Sequence, residues 1–171
     1  ALDLDDFDGT VGGNISGTSD LADLEKQADM ITEWFPEAQK VALLFCSAEP
    51  NSRYQIEEIA KHLAAKGIET QEFAFTDTND VASVTQAAAD YADVVYVPTD
   101  NTAASNAEAI ANILVPAGVP AITGEEGICK GCGVATLSIS YYDLGVTTGK
   151  MAARRHVRNA RHHAAGRLRR H

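Results

Sequence analysis

Hydroxyl, amide and carboxylate side chains gather in four short runs of this chain. They are Cys46-Ser47-Ala48-Glu49-Pro50-Asn51-Ser52, Pro98-Thr99-Asp100-Asn101-Thr102, Thr123-Gly124-Glu125-Glu126-Gly127 and Ser138-Ile139-Ser140-Tyr141-Tyr142-Asp143. The hydroxyls of Ser47, Ser52, Thr99 and Thr102 can donate to a carboxylate, with Asn51 and Asn101 beside them. Glu49, Asp100, Glu125 and Glu126 can accept from an ammonium, and a zwitterion such as an amino acid satisfies both halves of the set. Tyr141, with Asp143 two residues on, offers a flat apolar wall or a hydroxyl donor. Catalysis is disfavoured: none of the four runs contains a histidine to partner a nucleophile, and the adjacent Glu125 and Glu126 should diverge from one turn. A plain structural role competes at each position, because Asn51, Ser52 and Thr102 are residues that helix capping selects, and Gly124 and Gly127 are residues that turns select.

Each run follows an apolar segment, and the segments alternate with helical patterns. Leu21, Leu24, Ala28, Ile31 and Phe35 recur at three- and four-residue steps after Gly17-Thr18-Ser19-Asp20 and predict a helix that stops at Pro36. Val41–Phe45 is an apolar run short enough for a central parallel strand. A helix follows over about Ser52–Lys66, a strand near Glu69–Phe75, a helix over Asp80–Ala92, the strand Val94–Val97 and a helix over Ala103–Val115. Short strands at Pro120–Thr123 and Val134–Ile139 complete five. The alternation predicts an α/β fold: an open parallel five-stranded sheet with helices on both faces, a Rossmann- or flavodoxin-like three-layer lobe. The carboxyl ends of such strands share one edge, which gathers the four runs into one crevice. Two helix N-termini, after Glu49–Ser52 and after Thr99–Thr102, should aim unpaired N–H groups into it and hold an anion.

The boundaries expected are an irregular acidic and glycine-rich lead-in over 1–19 with a short strand at Asn14–Ser16, an α/β lobe over 20–150, and an Arg/His-rich tail over 151–171 that is a helical extension or disordered. Residues 1–150 hold 24 acidic against 7 basic side chains, a net charge of −17, which disfavours nucleic acid and anionic lipid as partners of the globular body. The tail, with Arg154, Arg155, Arg158, Arg161, Arg167, Arg169 and Arg170, reads either as a docking arm or as an alternative frame, the second favoured because no aromatic residue interleaves the charges. No apolar run is long enough to span a membrane. No cofactor motif is present: there is no Walker sequence, and Gly131–Thr136 lacks the setting of a dinucleotide fingerprint. Cys129-Lys130-Gly131-Cys132 is a single CxxC without a second pair, which leaves a local disulfide or two thiols and no metal site.

Gly13–Asp20, Tyr96–Thr102, Gly124–Gly127 and Ser140–Gly145 together resemble the substrate-binding proteins of ABC uptake transporters, in the type I periplasmic-binding group. Within it they are most similar to the branch associated with aromatic amino acids such as tryptophan or tyrosine. The resemblance runs from about Gly12 to Ala153. It implies an extracytoplasmic, non-catalytic protein that closes around a small solute between two lobes and presents it to a membrane permease. Only a second lobe is expected here, with a homodimer as one way to cover its exposed edge. A small regulatory or protein-interaction domain using the same edge is the rival reading.

Overall fold

The computed structural model describes residues 17–168, with side chains described as far as residue 154. They form two compact units, one of residues 22–138 and one that joins residues 17–21 to residues 139–168. The expected strand at Asn14–Ser16 and the side chains of Arg158, Arg161, Arg167, Arg169 and Arg170 lie outside the described residues.

In the larger unit the chain runs α1 (Leu24–Trp34), β1 (Lys40–Cys46), α2 (Pro50–Ala65), β2 (Glu69–Phe75), α3 (Val81–Tyr91), β3 (Val94–Val97), α4 (Asn101–Ser105), α5 (Ala107–Ala117), β4 (Ala121–Thr123), α6 (Glu126–Cys132) and β5 (Ala135–Thr136). The five strands form one parallel sheet in the order β2-β1-β3-β4-β5. Alternate side chains of β1 go to opposite faces, as a pleated strand requires. Val41, Leu43 and Phe45 meet Ala28 and Ile31 of α1 and Ile56, Ile59 and Leu63 of α2. Ala42, Leu44 and Cys46 join Val81 and Ala88 of α3, Ile110 and Leu114 of α5 and Ile128 of α6. The three-layer architecture is the one the alternation predicts. Because the chain steps from β1 out to β2 and returns to β3 on the other side of β1, the loops after β1 and β3 leave adjacent strands at a topological switch point.

The helices depart from expectation in three places. Helix α1 starts at Leu24, where the Asp23 carboxylate accepts the Lys26 N–H at 3.1 Å, so Leu21 stands before the helix and is 44% exposed. The expected helix over Ala103–Val115 is split at Asn106, whose Nδ2 donates to the Thr102 carbonyl at 2.7 Å and so takes an acceptor that the next helical N–H would use. Helix α6 was not anticipated, and the CxxC lies within it, ahead of Gly133 and the strand β5. Two glycines in seven residues lower its intrinsic propensity; Glu125 offsets this as N-cap, accepting from the Gly127 and Ile128 N–H groups. Strand β5 is correspondingly reduced to Ala135–Thr136.

In the smaller unit, α7 spans Tyr141–Leu168. The Thr18 and Thr148 hydroxyls meet at 2.7 Å, tying Thr18 to its second turn.

Candidate functional site

The loop after β1 and the loop after β3 are joined by two carboxylates. Asp100, 1% exposed, accepts the Ala103 N–H through Oδ1 and the Cys46 N–H through Oδ2, each at 2.7 Å. Glu49 reaches across from the first loop. Its Oε2 accepts the Asn101 N–H at 3.0 Å and Asn101 Nδ2 at 2.9 Å, and its Oε1 accepts the Thr102 N–H at 2.9 Å and the Thr102 hydroxyl at 2.8 Å. Partial burial acts to raise the Glu49 pKa, but the hydrogen bonds from Asn101 and Thr102 outweigh it and hold the carboxyl below its ordinary value. At the second helix start, where an anion was expected, the N–H groups of Asn101, Thr102 and Ala103 already serve the protein's own carboxylates. Asp100 is a structural cap, and Glu49 is an intramolecular clamp.

The N-terminus of α2 is arranged differently. Glu49 occupies its N-cap position but makes no side-chain cap bond there, and Pro50, without an N–H, opens the first turn. Among the described residues the Asn51 N–H has no backbone acceptor. Neither Asn51 nor Ser52 caps the helix. Asn51 is exposed and donates Nδ2 to the Thr99 carbonyl at 3.0 Å, while Ser52 is fully buried with its hydroxyl unpartnered. Ser47, half-buried, donates its hydroxyl to the Phe75 carbonyl at 3.2 Å.

Two buried glutamines that the sequence reading passed over hold the strand ends together. Gln55 of α2 clasps the Thr99 backbone, accepting its N–H at 3.0 Å and donating to its carbonyl at 3.1 Å. Gln27 of α1 donates to the Leu137 carbonyl at 2.8 Å and accepts the Tyr96 hydroxyl at 2.6 Å, with the Gly124 carbonyl at 3.5 Å. Tyr96 is wholly enclosed, and burial pushes its phenol pKa well up. The signal for both was an amide on the inward face of an amphipathic helix, where an apolar residue would otherwise stand.

The loop after β4 closes on the loop after β3: the Thr99 hydroxyl donates to the Gly124 carbonyl at 3.3 Å. A Cβ on Gly124 would lie 2.6 Å from the Thr99 nitrogen, so this approach needs glycine. Glu125 is occupied as the α6 cap. Glu126 is exposed and paired with Lys130 at 2.7 Å, a contact that lowers its pKa. The loops carrying Ser47, Glu49, Asn51, Thr99, Thr102 and Gly124 thus form one hydrogen-bonded surface. Tyr141 and Asp143, both exposed, belong to the first turn of α7 in the other unit, where the Asp143 N–H donates to the Ser140 hydroxyl at 3.2 Å. Of the two states expected for the CxxC, the structure holds the thiols, with Cys129, Cys132 and Cys46 all free. Among the described residues no group of side chains is arranged to hold a metal ion.

Comparison with known proteins adds four findings. The family model described as "ABC transporter substrate binding protein" matches residues 4–155. A tyrosine-binding protein of Clostridioides difficile is 28% identical over 141 residues, covering 82% of this chain and 41% of its own. The crystal structure of an ABC domain in complex with L-Trp from Streptococcus pneumonia superposes with a TM-score of 0.78 at 31% identity, covering 84% of this chain and 48% of that one. A ligand-free, open substrate-binding protein with adhesive properties from Clostridium difficile superposes with a TM-score of 0.67 at 29% identity, covering 82% and 48%. The chain spans less than half the length of these relatives.

Proposed function

Because this chain belongs to the family of ABC transporter substrate-binding proteins, we propose that its larger unit forms one wall of a binding site for an aromatic amino acid. The protein would work without catalysis outside the cytoplasm and deliver the solute to an ABC permease. The observation that carries this reading is the single surface made by the loops after β1, β3 and β4 beside an α2 N-terminus whose Asn51 N–H is uncommitted. A ligand carboxylate fits there: the helix N-terminus favours negative charge, and Asn51 Nδ2, which spends one N–H on the Thr99 carbonyl, keeps a second to donate. The ligands of the two relatives, tyrosine and L-Trp, support an aromatic side chain in preference to an aliphatic one.

Calorimetric titration with tryptophan, tyrosine, phenylalanine and leucine tests the reading. Saturable heats for the aromatic amino acids and weaker ones for leucine are expected. Asn51→Asp should remove them by placing a second carboxylate beside that of the ligand, while Gln55 keeps the Thr99 carbonyl hydrogen-bonded and the circular dichroism spectrum stays unchanged. Flat traces with every amino acid at millimolar concentration would remove the activity from this chain.

A further inference from the structure

Helix α6 places Cys129 and Cys132 three residues apart on its last turn. On an ideal α-helix that step separates two Cα atoms by about 5 Å, inside the range of roughly 4.4–6.8 Å that a disulfide bridges. Cys132 Sγ points back, donating to the Ile128 carbonyl at 3.4 Å, one residue before Cys129. Cys129 packs under the end of the helix, its Cα 2.9 Å and its Sγ 3.2 Å from where a Cβ on Gly133 would stand. The neighbourhood supports the helix on either side: a Cβ on Gly131 would meet Ala107 Cβ of α5 at 2.5 Å, and one on Gly133 would meet Thr123 Cγ2 of β4 at 2.8 Å. A bond between the sulfurs therefore needs side-chain rotation rather than movement of the packed backbone.

We propose that Cys129 and Cys132 are a thiol–disulfide exchange pair that closes to an intrahelical disulfide when the protein meets a small-molecule disulfide of the glutathione class. Cys129 attacks first, since burial holds the Cys132 thiol protonated: the Cys129 thiolate displaces one thiol from the small disulfide and forms a mixed disulfide. Cys132 then gives its proton to solvent and attacks Cys129 Sγ, releasing the second small thiol. Two protein thiols are oxidised, and one small disulfide is reduced to two thiols. Burial pushes the Cys132 thiol up to about 12, with the neighbouring Cys129 adding to the shift, so the closing step is slow at neutral pH and accelerates as pH rises. Cys46, buried at 1% exposure at the end of β1, takes no part. The consequence falls on the strand-end surface: α6 is the helix that Glu125 caps, and a cross-link over its last turn fixes the element that follows the β4 loop. The pairing stands on the geometry of α6 alone, and only the oxidising surroundings rest on the proposed extracytoplasmic role.

Oxidation of the folded full chain with oxidised glutathione, acid quenching, maleimide labelling and tryptic mass mapping tests this. Lys130, exposed between the cysteines, makes the readout direct. Trypsin separates Cys129 from Cys132 in the reduced protein and leaves them joined, two mass units lighter, in the oxidised one. Cys46 should stay free, and Cys132→Ser should trap glutathione on Cys129. Full labelling of both cysteines in the oxidised, folded protein would overturn the proposal, as would intermolecular disulfides alone. Neither result bears on amino-acid binding, which the reduced protein reports separately.

Discussion

At the scale of single residues, the sequence offered carboxylates as ligand acceptors, and the fold uses them on its own backbone. Asp100 is enclosed between the Cys46 and Ala103 N–H groups, so its removal would strand two buried donors and test the fold rather than binding. Glu49 gives a sharper experiment. Its folded-state pKa lies below the ordinary value, so the stability it contributes is fully present above that ordinary value and is lost as pH falls through the folded one. Glu49→Gln should therefore be less stable than the parent protein at pH 7, with the gap shrinking as pH is lowered through and below the ordinary glutamate range. Urea unfolding at a series of pH values measures the gap. A gap that is constant across the series would mean that the hydrogen bonds from Asn101 and Thr102 do not depend on the charge.

At the scale of elements, the site is a property of loop adjacency. Helices α1 and α2 each send one buried glutamine to the strand ends, Gln27 to Leu137 and Tyr96, Gln55 to Thr99. On the other side, the β4 loop approaches the β3 loop so closely that Gly124 has no room for a methyl group beside the Thr99 nitrogen and the Pro98 carbonyl carbon, both of them backbone atoms. Gly124→Ala should cost about 1–3 kcal/mol, in the range of overpacked sites, because backbone cannot rotate away as a flexible side chain would. Denaturant titration reads the loss, and calorimetry with an aromatic amino acid should show weaker binding by the surviving folded protein. Unchanged stability would mean that the β3 and β4 loops can separate without consequence.

At the scale of the molecule, the larger unit has one sheet with a core on each face, and the same strands serve both. Leu43 and Leu44 are neighbours in β1 yet belong to opposite cores. Neither core can dissolve without exposing the back of the other, so the two faces should unfold together. Two natural probes check this. Trp34, the single tryptophan, ends α1 on one side, and buried Cys46 belongs to the core on the other. The denaturant midpoint from Trp34 fluorescence should coincide with that from maleimide labelling of Cys46 scored by mass. Separate midpoints would show that the layers melt independently.

Much of this architecture was legible in the residues. Apolar runs of strand length between helices of period 3.6 determine five parallel strands and three layers, because burial on two faces leaves no other use for such segments. The same patterning determines that the runs after β1, β3 and β4 collect on one edge, while Tyr141 and Asp143 of the fourth run belong to the other unit. Helix α6 was hidden because its glycines argue against a helix and its cap acts through a side chain whose partners appear only once the chain has turned. The roles of Glu49, Asp100 and Gln55 were hidden for a related reason: each binds backbone groups some fifty residues away, and only pairing β1 with β3 brings them within hydrogen-bond distance. Sequence by itself determined which side chains would stand at the edge. Tertiary structure decided which of them remain for a ligand, because a backbone N–H at a helix start is filled by whichever carboxylate the folded chain brings to it first.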